Sequence, residues 1–192
     1  MLEDKINSAV AQQQALLDPF FLAQKAVLAE LASHLTATFQ AGGRLFLAGS
    51  GPFAAIAGLL GQQFLHRQTL ERPPLPALAL THDAGLATFL AAENLENQLF
   101  TRQLRALAGD QDTLLLLAGT ILCPAGRDAL AAARQLGCRS VLICGEHAEI
   151  PETLLPDLLM QLPSSSLPRL LEGCLFAGHL LCAMVEGELF GI

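Results

Sequence analysis

Residues 43–52 read Gly43-Arg44-Leu45-Phe46-Leu47-Ala48-Gly49-Ser50-Gly51-Pro52. The apolar run 44–48 predicts a short buried strand. Gly49-Ser50-Gly51 predicts a tight turn. Pro52 fits the first turn of a helix, where its fixed φ and missing N–H cost nothing. A strand that passes through glycines into a helix is the opening of a β-α-β unit. The same alternation continues outward. Further strands are predicted at 76–80, 113–117, 140–144 and 158–162. Helices are predicted from 52 to about 66, after a cap at Asp83, over 97–107 and 125–136, near 151–155, and from about 167 to 189 behind a Ser164-Ser165-Ser166 cap. Strands alternating with helices imply an α/β fold, a three-layer sandwich with a five-stranded parallel sheet covered on both faces.

Upstream of this unit, residues 3–17 are rich in Ala, Gln and Leu and predict a helix. Asp18-Pro19 reads as a fresh start, with Asp as cap and Pro in the first turn. A second helix then runs over about 20–40 and stops at Gly42-Gly43. These two N-terminal helices, residues 1–40, are expected to serve oligomerisation, and residues 41–192 to form the α/β domain. No repeat or linker divides the chain, and one structural domain is expected overall.

The 192 residues are 52% hydrophobic and only 15% charged, with no Trp or Tyr and two lysines, Lys5 and Lys25. That much apolar mass excludes a disordered chain. The thin charged coat points to surface hidden in an oligomer or against a membrane. Glu172 and His179 interrupt the most apolar segment, 170–185, which argues against a span of about 20 residues. The N-terminus lacks the basic and apolar regions of a signal peptide. A cytoplasmic location with no membrane contact is therefore expected. A net charge of −7 argues against direct contact with nucleic acid, which needs a positive surface. Cys123, Cys138, Cys144, Cys174 and Cys182 form no C-x-x-C pair and are expected to be reduced, buried thiols.

In open parallel sheets, ligands bind at the carboxyl ends of strands. Two loops fall there. Gly49-Ser50-Gly51 opens a helix, and its backbone N–H groups suit an anion, although G-x-G alone describes a plain turn equally well. The loop 118–124 holds Thr120 as its one hydroxyl beside apolar Ile121 and Leu122.

At these loops, and along 41–44, 71–80, 103–107, Pro163-Ser164 and 188–190, the chain resembles the SIS (sugar isomerase) family over nearly its whole length. Its nearest look is to single-domain phosphoheptose isomerases and to the members that associate with the replication initiator DnaA. The resemblance implies a flavodoxin-like SIS fold and, for the isomerases, a metal and a proton-moving set of His, Glu, Gln and His. The corresponding positions here hold Leu59, Gln63, Leu171 and His179. An amide does not accept a proton at neutral pH, and Leu offers no ligand. Zinc, any other metal and any cofactor are therefore not expected, and His179 is a vestigial catalytic candidate. Phe53 stands where a phosphate-binding hydroxyl is expected, and Ala92-Glu93 replaces the family's Asn-Asp.

Ser50, Gly51, Gln63, Thr120 and Glu172 remain as ligand-binding candidates. Each also has a structural reading: Gln62-Gln63 as helix packing, Glu172 as a carboxylate in the early turns of the last helix, and His179 as a core or interface histidine. His82 and His147 show no partner in the sequence. Leu189 and Phe190 are candidates for partner binding, since the initiator-associating members use a terminal Leu-Phe to contact DnaA. The expectation is a non-catalytic homotetramer, a pseudoenzyme acting through protein contact, with DnaA as the implied partner in replication initiation. The alternatives are an isomerase or binder of sugar phosphates of the sedoheptulose 7-phosphate type, and an accessory subunit of a larger complex.

Overall fold

A computed structural model describes residues 2–68 and 71–191. Met1, Thr69, Leu70 and Ile192 lie outside the described residues.

The order is α1 (Leu2–Ala23), α2 (Lys25–Gln40), β1 (Leu45–Gly49), α3 (Pro52–Leu65), β2 (Ala77–Ala79), α4 (Ala84–Ala92), a 3-10 turn Glu96–Gln98, α5 (Leu99–Leu107), β3 (Thr113–Leu117), α6 (Pro124–Leu136), β4 (Arg139–Gly145), a second 3-10 turn Glu152–Leu154, β5 (Leu158–Leu162) and α7 (Leu167–Phe190). The strands form one sheet in the order β2-β1-β3-β4-β5. Every pairing is parallel, with Leu45 opposite both Ala77 and Thr113. The five-stranded parallel sheet expected from the sequence is present.

Alternation along the strands sends side chains to two cores. Leu45, Leu47, Leu115, Leu117, Val141 and Ile143 pack under α1, α2, α3 and α7. Phe46, Ala48, Leu114, Leu116, Leu142 and Cys144 pack under α5 and α6. Both faces are covered, which is why the strands read as continuous apolar runs.

Three local expectations are corrected. Pro19 lies inside α1, and the chain does not restart at Asp18. The break comes at Gln24, whose N–H still donates to Phe20 O at 3.0 Å. Leu16 and Phe21 are both buried, so packing on either side of the proline holds the helix together. Ser166 is the N-cap residue of α7 but makes no side-chain cap bond; its N–H is instead taken by Ser164 Oγ at 3.1 Å. Residues 96–98 form a 3-10 turn ahead of α5 and are not α-helix. Two capping expectations hold: Asp83 accepts from Leu86 N at 2.8 Å, and Gly42 ends α2 with φ +80°.

By length and composition α7 is the one element among the described residues that could cross a bilayer, and half of its most apolar window is buried within the fold. It passes close to α3 at Gly178, where a Cβ would come within 2.3 Å of the Leu60 side chain. A side chain there would have to displace Leu60.

Candidate functional site

The strand order reverses direction at β1 and β3. The chain leaves β1 for β2 on one side and returns to β3 on the other, so their carboxyl-end loops part and leave a crevice. Gly51, with φ +59°, turns the chain after β1 so that α3 starts immediately. Cys123 ends the loop after β3 as the N-cap of α6, its Sγ accepting from Gly126 N at 3.4 Å. The two loops meet where Ser50 Oγ lies 3.0 Å from Cys123 Sγ.

Two neighbouring cavities open there. One, of about 460 Å³, is lined by Ser50, Gly51, Thr81, Glu96, Asn97 and Cys123 among others. The second, of about 360 Å³, shares Ser50 and Gly51 and adds Phe53, Thr120 and Ile121. Phe53 is buried, and its ring lies about 3.4 Å from where a Cβ on Gly119 would stand. It occupies space between the loops with apolar matter. Among the described residues, neither cavity is lined by Lys or Arg. The positive potential available to an anion comes from the N-termini of α3 and α6, which both begin at this crevice.

Gln63 and His179 are brought together, but in a second place. Their Nε2 atoms lie 3.0 Å apart across α3 and α7. Gln68 Nε2 donates to His179 O at 3.2 Å. Behind this pair sits a buried ion pair, Arg72 Nε to Glu186 Oε1 at 2.6 Å. The same guanidinium donates to Gln63 O at 2.9 Å and Phe64 O at 3.0 Å, holding the last turn of α3. Glu172 lies in a third place, accepting from Arg169 at 2.9 Å, while Arg169 also donates to Ala9 O on α1. Within one chain, then, Ser50, Gly51 and Thr120 line the crevice, whereas Gln63, His179 and Glu172 do not.

The metal-ligand positions implied by the resemblance do not fit a metal. Zinc takes N, S or O ligands in a closed set. Leu59 and Leu171 offer none, and Gln63 is already bonded to His179. Among the described residues no three His, Cys, Asp or Glu side chains converge to hold an ion.

Three further readings are revised. Cys123 is half-exposed at the crevice and not buried like the other four cysteines. Burial pushes the thiols of Cys138, Cys174 and Cys182 up to about 12 and that of Cys144 to about 11. His82 has a structural role: its ring occupies the space a side chain on Gly58 would need. His147 pairs with neighbouring Glu146 at 3.3 Å. At the chain end, Leu189 packs against the core, while Phe190 remains exposed.

Sequence reasoning missed Asn97 and Thr81 as crevice residues and Arg72 as the brace behind Gln63. Arg72 stands among charged and polar neighbours in the run 67–74, and nothing in that run singled it out.

A family model described as SIS domain matches residues 10–145. The phosphoheptose isomerase of Trichlorobacter lovleyi is 34% identical over 193 residues, covering 97% of each chain. That of Burkholderia pseudomallei is 32% identical over 189 residues, 97% of this chain and 95% of its own. Among solved structures, a phosphoheptose isomerase from Francisella tularensis superposes with a TM-score of 0.87 at 24% identity, over 96% of this chain and 98% of its own. The phosphoheptose isomerase from Neisseria gonorrhoeae gives 0.85 at 19% identity, over 97% of this chain and all of its own.

Proposed function

The chain belongs to the SIS domain family, and from that membership we propose that it is a sugar-phosphate-binding protein of the phosphoheptose isomerase group. The observation that supports this reading is the crevice where two helix N-termini, α3 and α6, begin beside Ser50 and Thr120. A phosphate placed there gains from both helix ends, and the polyol finds hydrogen-bonding groups in Thr81, Asn97 and Glu96. Full-length similarity to proteins named phosphoheptose isomerase supports a seven-carbon ketose phosphate as the ligand class.

Binding without turnover is the finer part of this reading. Moving a proton between adjacent carbons requires a base. Gln63 cannot serve, and His179 has an amide, not a carboxylate, as its partner. The test is calorimetric titration with sedoheptulose 7-phosphate, paired with a turnover assay with and without zinc. Saturable binding, weakened about 5- to 10-fold by Ser50→Ala as one hydrogen bond is lost, with no turnover, is the expected result. An absence of binding refutes the proposal. Turnover abolished by His179→Ala replaces it with the isomerase reading.

A second reading is favoured by exposed apolar side chains at the chain's two ends. Leu2, Ile6, Val10 and Leu22 of α1, and Phe176 and Phe190 of α7, are exposed. On this reading the chain is a cytoplasmic homotetramer that displays Phe190 to a protein partner, DnaA being the one the resemblance implies.

A further inference from the structure

Beside the crevice, a polar groove runs between α5 and α6. It holds about 330 Å³ and is lined by Asn97, Thr101, Arg102, Arg105, Asp128 and Gln135 among others. Thr101 is more than nine-tenths buried, yet its Oγ1 has no hydrogen-bond partner. A threonine inside a helix can satisfy its hydroxyl on the carbonyl one turn back, as Thr88 does on Ala84 O. A buried hydroxyl left unpaired costs free energy unless something satisfies it.

One of the groove's two arginines is uncommitted as well. Arg44, Arg67, Arg72, Arg139 and Arg169 each pair with a carboxylate, and Arg127 and Arg134 donate to backbone carbonyls. Arg102 spends its Nε on Gln98 Oε1 at 2.9 Å. Arg105 alone among the nine arginines has no hydrogen bond or ion pair among the described residues. Its place in the last turn of α5 suits the helix dipole, but that leaves its five donors unused. At the other end of the groove, Asp128 accepts from Asn97 Nδ2 at 2.6 Å through Oδ2.

We infer that this groove binds a small phosphate monoester. Arg105 grips the phosphate oxygens in the forked geometry guanidinium favours. Arg102 adds charge, and Thr101 Oγ1 and the Gln135 amide donate hydrogen bonds. Asp128 repels a second anionic group at its end and accepts from a ligand hydroxyl. The site is separate from the crevice and independent of what the crevice binds. It adjoins the crevice through Asn97, which lines both cavities.

The test uses the full chain with glycerol 3-phosphate and inorganic phosphate as probes, at constant ionic strength, read by amide chemical shifts and by thermal denaturation. Saturable shifts centred on Thr101, Arg105 and Gln135 are expected, with glycerol 3-phosphate binding about 3-fold more tightly than inorganic phosphate. Arg105→Gln weakens binding at least 10-fold, and the isosteric Thr101→Val about 5-fold. Both changes leave the fold intact by the same spectra. Shifts confined to the N-termini of α3 and α6, or affinities unchanged in both variants, overturn the proposal.

Discussion

At the scale of single residues, Arg72 and Glu186 tie the molecule together most tightly. Their side chains are nearly inaccessible, and Arg72 reaches three backbone carbonyls besides the carboxylate. Removing one member of a buried pair strands the other. Arg72→Met is expected to lower stability by about 3–5 kcal/mol in urea denaturation. Adding Glu186→Leu should restore most of that loss, because an apolar pair of similar volume avoids the desolvation cost. If the double variant is no more stable than the single one, the ion pair is not the source of the effect. Little of this was legible in the sequence. Glu186 in the apolar last helix has no visible partner until the fold brings residue 72 beside it. Cys123 misled for a related reason. Its neighbours are apolar, but the turn into α6 lifts its thiol to the crevice. The uncommitted Arg105 is invisible in sequence too, because an arginine in the last turn of a helix looks ordinary.

At the scale of elements, the strands were the most legible part. Each is built around a short apolar run, and β3 and β5 fall where the run predicts. α1 was the least legible, since Asp-Pro is a genuine start signal that tertiary packing overrides. The amino ends of the strands hold a network that no local pattern announced. His34 on α2 lies 2.9 Å from Thr113 Oγ1 at the start of β3, and Arg139 of β4 donates to His34 Nδ1 at 3.0 Å. Arginine only donates, so Nδ1 must accept and Nε2–H points to Thr113. The imidazole is thereby held neutral. Burial first, and then the Arg139 charge, keep its pKa below the ordinary 6.5, against the opposing pull of Asp157 and Glu30. With the folded pKa below the unfolded one, the unfolded state takes up more protons in the interval. The stability carried by this bond network is therefore complete above about pH 6.5 and drains away as pH falls below it. Urea midpoints at pH 7.5 and 5.5 should differ more for the wild type than for His34→Gln. Equal differences would remove this account.

At the scale of the whole molecule, the low charge content noted in the sequence has two visible destinations. Part lies in the two cores, and part lies on the surface as the α1 and α7 side chains described above. A groove of about 880 Å³ between α1, α2 and α7, lined by Leu17, Phe21, Leu22, Phe176, Leu180 and Met184, continues that apolar surface. Apolar faces of this extent are characteristic of subunit contacts. Sedimentation equilibrium is expected to give a species of four protomers, and Leu22→Glu with Phe176→Glu to shift it toward the monomer. Capture of DnaA by the wild type but not by Phe190→Ala would support the partner reading. A monomeric wild type would remove the tetramer, and equal capture by both would remove Phe190 as the contact.

The strand order has a consequence for how the chain is made. β1 sits inside the sheet, flanked by β2 and β3, yet β3 begins only at Thr113. A ribosome adding about 5–20 residues per second takes several seconds to reach that point after β1 has emerged. For that interval a wholly apolar strand, Leu45–Gly49, waits with one edge open and no later strand to close it. An open apolar edge is a template for pairing with other chains. That edge of the nascent protein is thus open to aggregation through the middle of its synthesis, until β3 locks against β1 and passes the open edge on to β4.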